Sequence, residues 1–208
     1  TGGSATGAFA QVGHASTTLD GDITFTSVGG DVNLTASNNL VYAVIGHGDP
    51  TLGISTLSGD IDITTTAGDI ILNGATTSGG GTLGMAQIGH LDQTGAASTL
   101  SGNIDLLAGS LGGYGGDIIL NGGSASSSSV ARIGHGGLNG STTVGIYPGD
   151  TLFTLKADIN FTFNPSSGAG TAEVENLSNL NAASDRSIQI IVDNDFPTSP
   201  GIGPGMFD

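Results

Sequence analysis

Short runs of alternating apolar and polar residues, each closed by a glycine corner, make up most of this chain. In Asp60-Ile61-Asp62-Ile63-Thr64-Thr65, the residues Ile61, Ile63 and Thr65 fall on one face of an extended strand, and Asp60, Asp62 and Thr64 on the other. The same period of two runs through Asp150–Leu155, Asp158–Phe163 and Ser187–Asp193. The repeated runs end at Gly-Asp or Gly-His, where glycine supplies the positive φ that a tight corner needs. No segment sustains a period of 3.6. With two methionines, two glutamates and one lysine, the composition cannot populate amphipathic helices either. The pattern predicts an all-β chain.

The runs recur as three words in fixed order. The first is Leu19-Asp20-Gly21-Asp22-Ile23, Leu57-Ser58-Gly59-Asp60-Ile61 and Leu100-Ser101-Gly102-Asn103-Ile104. The second is Gly30-Asp31-Val32-Asn33-Leu34, Gly68-Asp69-Ile70-Ile71-Leu72 and Gly116-Asp117-Ile118-Ile119-Leu120, the last two continuing into Asn73-Gly74 and Asn121-Gly122. The third is an aliphatic residue, glycine and histidine, and it holds all four histidines: His14, His47, His90 and His135, at intervals of 33, 43 and 45 residues. Words repeating in order, about three strands per repeat, predict a parallel β-helix (a β-solenoid) in which equivalent words stack about 4.8 Å apart. The inward columns are then Ile23/Ile61/Ile104, Val32/Ile70/Ile118 and Val12/Ile45/Ile88/Ile133.

Three regions follow. Residues 1–149 carry the solenoid repeats. Residues 150–196 form a degenerate terminal coil that caps the core, with Ala172–Leu177 where the histidine word is due and four of the seven phenylalanines. Residues 197–208, with prolines at 197, 200 and 204, form an extended tail. Length differences between repeats fall in Gly/Ser/Thr-rich stretches at Thr76–Gly84, Leu91–Ala97, Ser110–Gly115 and Ser124–Ser129, which are expected to protrude as loops.

Charge narrows the function. Three basic residues stand against 18 acidic ones, for a formal net charge of −15. Nucleic acid and anionic membrane surfaces both call for a basic patch, so neither is an expected partner. No apolar run has the length of a membrane helix, so no direct membrane insertion is expected. With no cysteine, there are no disulfides, thiolate metal sites or cysteine nucleophiles. Charged residues are 10% and mean hydropathy is +0.16, unlike a disordered chain. Thr1-Gly2-Gly3 is not a natural start and no signal peptide precedes it, as expected of a processed product.

The words Ala86-Gln87-Ile88-Gly89-His90, Ala131-Arg132-Ile133-Gly134-His135-Gly136-Gly137 and Leu57–Ile63 resemble those of the large secreted β-helical surface proteins of Gram-negative bacteria. These are the filamentous-haemagglutinin-like exoproteins and autotransporter passengers. The resemblance covers about residues 10–140, and the closing Ile191–Pro197 and Pro200–Gly205 look like the end of such a repeat region. It implies an extracellular or bacterial cell-surface protein with a structural or adhesive role and usually no catalysis, and it implies that this chain is a fragment of a longer one.

Two sets of columns carry candidate chemistry. A ladder of His14, His47, His90 and His135 is expected to stack at one corner. Its plain role is a hydrogen bond to a backbone carbonyl of the next coil; its sharper roles are a shared metal or a proton switch near pH 6.5. Asp22/Asp60/Asn103 and Asp31/Asp69/Asp117 form acidic columns, which repel unless backbone N–H groups or a cation compensate. Calcium is the natural cation for them, and His47 with Asp49 pairs both ligand types. The calcium nonapeptide Gly-Gly-x-Gly-x-Asp is not repeated, so no cofactor is required. Arg132, Lys156 and Arg186 lie far apart along the repeat, tryptophan is absent, and the acidic residues sit at turns, so no enzyme is expected. Broken Thr-x-Thr runs argue against an ice-binding face.

The reading is a non-catalytic extracellular structural solenoid, assembling head-to-tail with copies of itself through its ends, with Thr1–Phe9 or Pro197–Asp208 strengthening the joint. The alternative is an adhesin passenger fragment that binds a cell-surface receptor through its loops.

Overall fold

The computed structural model describes residues 9–135, apart from 17, 28, 38–40, 50–55, 77–83, 92–98, 110–115 and 124–128, together with strands in 151–157, 161–164, 171–174, 186–192 and 205–207. These residues form a parallel β-solenoid without a helix. The first coil holds β1 (Phe9–Val12), β2 (Thr18–Asp20), β3 (Ile23–Ser27) and β4 (Val32–Thr35). The second holds β5 (Val41–Ile45), β6 (Thr56–Ser58), β7 (Ile61–Thr65) and β8 (Ile70–Asn73), and the third β9 (Gly84–Ile88), β10 (Thr99–Leu100), β11 (Ile104–Ala108) and β12 (Ile118–Asn121). Next come β13 (Ser129–Ile133), β14 (Thr151–Ala157), β15 (Phe161–Asn164), β16 (Thr171–Val174), β17 (Arg186–Val192) and β18 (Gly205–Phe207).

Each side of the coil generates one sheet. The histidine words give β1-β5-β9-β13-β16, the Leu-x-Gly-Asp-Ile words β3-β7-β11-β14-β17, and the Gly-Asp-apolar words β4-β8-β12-β15. A coil thus has three longer strands and one short strand, because the Gly-Asp corner splits the first word. Its Leu side forms the narrow sheet β2-β6-β10. The pairing is parallel and follows the words: Ile23↔Ile61↔Ile104, Val32↔Ile70↔Ile118 and Val12↔Ile45↔Ile88↔Ile133. The later strands continue these sheets, with Ile104↔Phe153↔Ile188 and Ala131↔Ala172 in register. Residues 205–207, in the segment expected to be an extended tail, form β18, which runs antiparallel along β17.

Alternation sets the core. In β7 and β11 every second residue is buried, and Ile61, Ile63, Ile70, Leu72, Ile88, Ile104, Ile118 and Leu120 lose all contact with solvent. No single coil could enclose these side chains; stacking covers each column from above and below. Ile104 lies between Ile61 and Phe153 in register. Ile104→Ala is therefore expected to cost about 2–5 kcal/mol, read as a lowered denaturant midpoint with an unchanged slope.

Two features depart from simple alternation. Val12, expected in the core, is 45% exposed, because among the described residues no coil lies beyond β1 to cover it. In β5 and β9 both faces are buried: Ala43, Ile45, Ala86 and Ile88 join the main core, while Tyr42, Val44, Met85 and Leu91 form a second cluster on the outer side. Most of each stretch expected to form loops lies outside the described residues, as do the segments 1–8 and 197–204.

Candidate functional site

In the first sheet β1, β5, β9 and β13 each lead into Gly-His, and the registers that align them also bring the rings together. The His47 and His90 rings lie 5.1 Å apart and 14° from parallel, and His90 and His135 4.6 Å apart and 18° from parallel. His14, in the first coil, meets His47 edge-on at 5.6 Å and 89°.

Each stacked ring bonds twice to the coil before it. The backbone N–H groups of His14, His47 and His90 donate to Nδ1 of His47, His90 and His135 at 3.2, 3.2 and 3.0 Å. Nε2 of His47, His90 and His135 reaches the carbonyl oxygens of Gly21, Gly59 and Gly102 at 2.8, 3.0 and 3.0 Å. A backbone N–H only donates, so each Nδ1 is the unprotonated acceptor. A carbonyl only accepts, so each Nε2 carries the proton. The contacts therefore fix one neutral tautomer. The carbonyl belongs to the preceding coil, where the sequence reading placed it in the next.

This geometry removes the sharper roles from the stacked histidines. A metal takes a ring lone pair, and here each lone pair faces an amide, so His47 offers none to a cation shared with Asp49. A switch near pH 6.5 is displaced as well. Burial above all pushes His90 down to about 2, helped by the neighbouring His135. Burial likewise pushes His135 down to about 4 and lowers His47.

The aspartates at the other two corners also bond between coils. Asp22 Oδ1 accepts the Asp60 N–H at 2.9 Å, and Asp60 Oδ1 the Asn103 N–H at 2.8 Å. Asp31 Oδ1 accepts the Asp69 N–H at 3.0 Å, and Asp69 Oδ1 the Asp117 N–H at 2.9 Å. In each column a carboxylate of one coil caps an amide of the next coil, where the sequence pattern assigned it to the N–H groups of its own turn. Among the described residues, no group of three or more His, Asp or Glu side chains is placed to hold a metal ion. Beside the first column, Asp62 stands in register with Asp105. Burial raises the Asp62 carboxyl, and Asp105 and Asp60 raise it further.

Sequence reasoning missed two further sets of side-chain bonds. Gln11 Nε2 donates to the Gly46 and Gly48 carbonyls at 2.8 and 2.9 Å, and Gln87 Nε2 to the His90 and Gly134 carbonyls at 3.1 and 3.0 Å. The signal was a glutamine two residues before the glycine of the histidine word. Asn121 Nδ2 donates to Asn73 Oδ1 at 2.7 Å, and Asn73 Nδ2 to Asn33 Oδ1 at 3.2 Å. Its signal was the Asn-Gly that follows two of the Gly-Asp words. Arg132, in register with Gln87 and Glu173, is buried at 3% exposure, and charge alone would have placed it outside.

The open end of the first coil carries a surface concavity. A cavity of about 260 Å³ is lined by Ala10, Val12, Phe25, Val32, Leu34 and Ile45, among others. Val12 and Phe25 are 45% and 37% exposed there, and Phe9 is 47% exposed on the same strand as Val12. No family model, curated protein or solved structure matches the chain.

Proposed function

We propose that the chain is a non-catalytic structural β-solenoid of the extracellular or cell-surface kind that its words resemble, acting as a rigid element that joins other β-structure through an end. The observation that carries this reading is the engagement of its polar side chains. General acid–base chemistry calls for a titratable group facing a substrate cleft. Here the three stacked histidines are neutral with both nitrogens bonded, and four Gly-Asp carboxylates cap amides of the next coil. The concavity at the first coil is largely apolar. The acidic surface suits solubility outside the cell and gives no foothold to nucleic acid.

The joining end is that of the first coil; among the described residues β10, β15 and β16 toward the other end also have an open edge, but β17 does not. Among the described residues β1, β2, β3 and β4 each have one edge with no strand beyond it. Such edges present N–H and C=O groups for another strand to complete. At the far end β18 already lies along β17, which obstructs one side of a head-to-tail joint between identical chains. An adhesive surface on the loops would fall on segments outside the described residues.

The test is thermal unfolding with saturating calcium, zinc or chelator, together with negative-stain microscopy. The expected result is short rods and a Tm unchanged by metal or chelator. Occupancy at a hundred times Kd would add about 2.7 kcal/mol. A rise in Tm of that size would make the Asp columns a cation site and overturn the structural reading.

A further inference from the structure

The open end has a polarity, and the bonds between coils define what fits it. The joint between the first and second coils and that between the second and third use the same parts. The later coil supplies a histidine ring and two corner amides. The earlier coil supplies an amide N–H and a glycine carbonyl for the ring, and carboxylates for the amides. The first coil presents the later coil's half of this joint with nothing before it among the described residues. The His14 ring is exposed and turned out of the stack, the Asp22 and Asp31 amides have no carboxylate preceding them, and Val12 and Phe25 stand open beside the cavity. Gly21 carries the same mark. A Cβ on Gly59 or Gly102 would strike the backbone of the coil before it, whereas a Cβ on Gly21 would meet nothing within 4 Å.

We infer that this end is an acceptor for one kind of partner: a β-solenoid coil of the same polarity that carries Gly-Asp and Gly-His corners. The inference rests on the structural reading above and names its partner. Such a coil would extend β1, β3 and β4 in parallel, cap the Asp22 and Asp31 amides with its carboxylates, and give His14 an amide and a carbonyl.

A second copy of this chain is a poorer occupant in either orientation. Head-to-head, the exposed Asp22 and Asp31 of both copies would meet like charges, and each His14 ring would face another ring. Head-to-tail, the described strands of the far end do not continue the first column. The register Ile104↔Phe153↔Ile188 puts Leu152 and Ser187 in the column of Asp22, Asp60 and Asn103, so that end offers no carboxylate there. The free edge of β17 is already taken by β18.

The experiment is a tandem chain in which a second copy of residues 41–73 precedes Thr1, compared with the parent and with the same extension in scrambled order. The true extension is expected to raise Tm, to slow exchange of the Asp22 and Asp31 amides at least tenfold, and to bring the His14 ring to the Nε2–H tautomer in its 15N spectrum. Gly21→Ala is expected to leave the Tm of the parent nearly unchanged and to abolish all three gains in the tandem chain, because its Cβ would fill the space that the added glycine carbonyl needs. Equal behaviour of true and scrambled extensions, or gains that survive Gly21→Ala, would overturn the inference. So would fibres formed by the parent alone, which would make a second copy the occupant while leaving the structural reading intact. A Tm that depends on metal would instead strike at the structural reading.

Discussion

Lowering the pH from 7.5 to 5 is expected to remove about 4 kcal/mol of stability from this protein, well before its carboxylates are extensively protonated. The loss comes from the buried rings. In the unfolded chain a histidine titrates near 6.5. In the folded chain burial holds His90 at about 2 and His135 at about 4. A folded pKa below the unfolded one means that the unfolded state binds the proton first. The stabilisation is complete above pH 6.5 and falls by about 1.4 kcal/mol per pH unit for each ring as the pH drops. Two rings over roughly 1.5 units give the stated loss, and His47, also lowered, acts in the same direction. Asp60 pulls His135 the other way without offsetting its burial. Asp62, whose carboxyl is raised by burial and by Asp105 and Asp60, acts in the opposite direction as the pH falls.

The structural reason is the pair of bonds on each ring. An imidazolium carries a proton on both nitrogens, so protonating His90 would turn its Nδ1 from the acceptor of the His47 amide into a second donor facing it. Guanidinium unfolding at pH 7.5, 6 and 5 would check this. His90→Gln, already less stable at pH 7.5, should flatten the dependence by about 2 kcal/mol over the window, one ring's share. A stability that does not change between pH 7.5 and 5 would mean that the rings are not held neutral.

The columns were legible in the sequence because the words mark corners, and a corner is where the chain must return to the same place in every coil. Ile23, Ile61 and Ile104 could be aligned by eye although the spacing of their words differs, since the differences collect between words. The bonds on the ladder were not legible in the same way. Gly59 and His90 lie 31 residues apart, and nothing in either word says that the ring turns to the coil before it. The tautomer follows only from knowing both partners. Burial of the outer side of β5 and β9 was hidden because alternation assigns Tyr42, Met85 and Gln87 to the face away from the core. It holds no information about a second layer outside. Val12 was misplaced because a column says which side chains share a side, not which of them have a neighbour on both flanks. The short strands β2, β6 and β10 were merged with their successors, since Leu-x-Gly-Asp-Ile reads as a single run until the corner glycine is seen to bend it.

Gly89→Ala should be among the most damaging small changes in the described solenoid. Gly89 has φ of +145°, a region that L residues rarely occupy and that costs about 1–3 kcal/mol to enforce. A Cβ at this position would overlap the carbonyl oxygen of Gly134, and Gly46 stands in the same relation to Gly89. The strand spacing of about 4.8 Å leaves no room for the methyl group. Backbone lies on the far side of the clash, so no side chain can swing aside. To admit the alanine, the third and fourth coils must part at this corner. Parting them stretches the His90 N–H to His135 Nδ1 bond and the Gly134 N–H to Ile88 carbonyl bond, and it wets Ile88 and Ile133. Strain, two weakened bonds and partial exposure of the core together set an expected loss of more than about 4 kcal/mol. Gly21→Ala, with nothing within 4 Å of its Cβ, should shift stability by less than about 1 kcal/mol. The pair of denaturant midpoints separates coil spacing from glycine content in general. If the two variants were equally stable, the glycine column would be a feature of composition and the coils would not be held as close as the register requires.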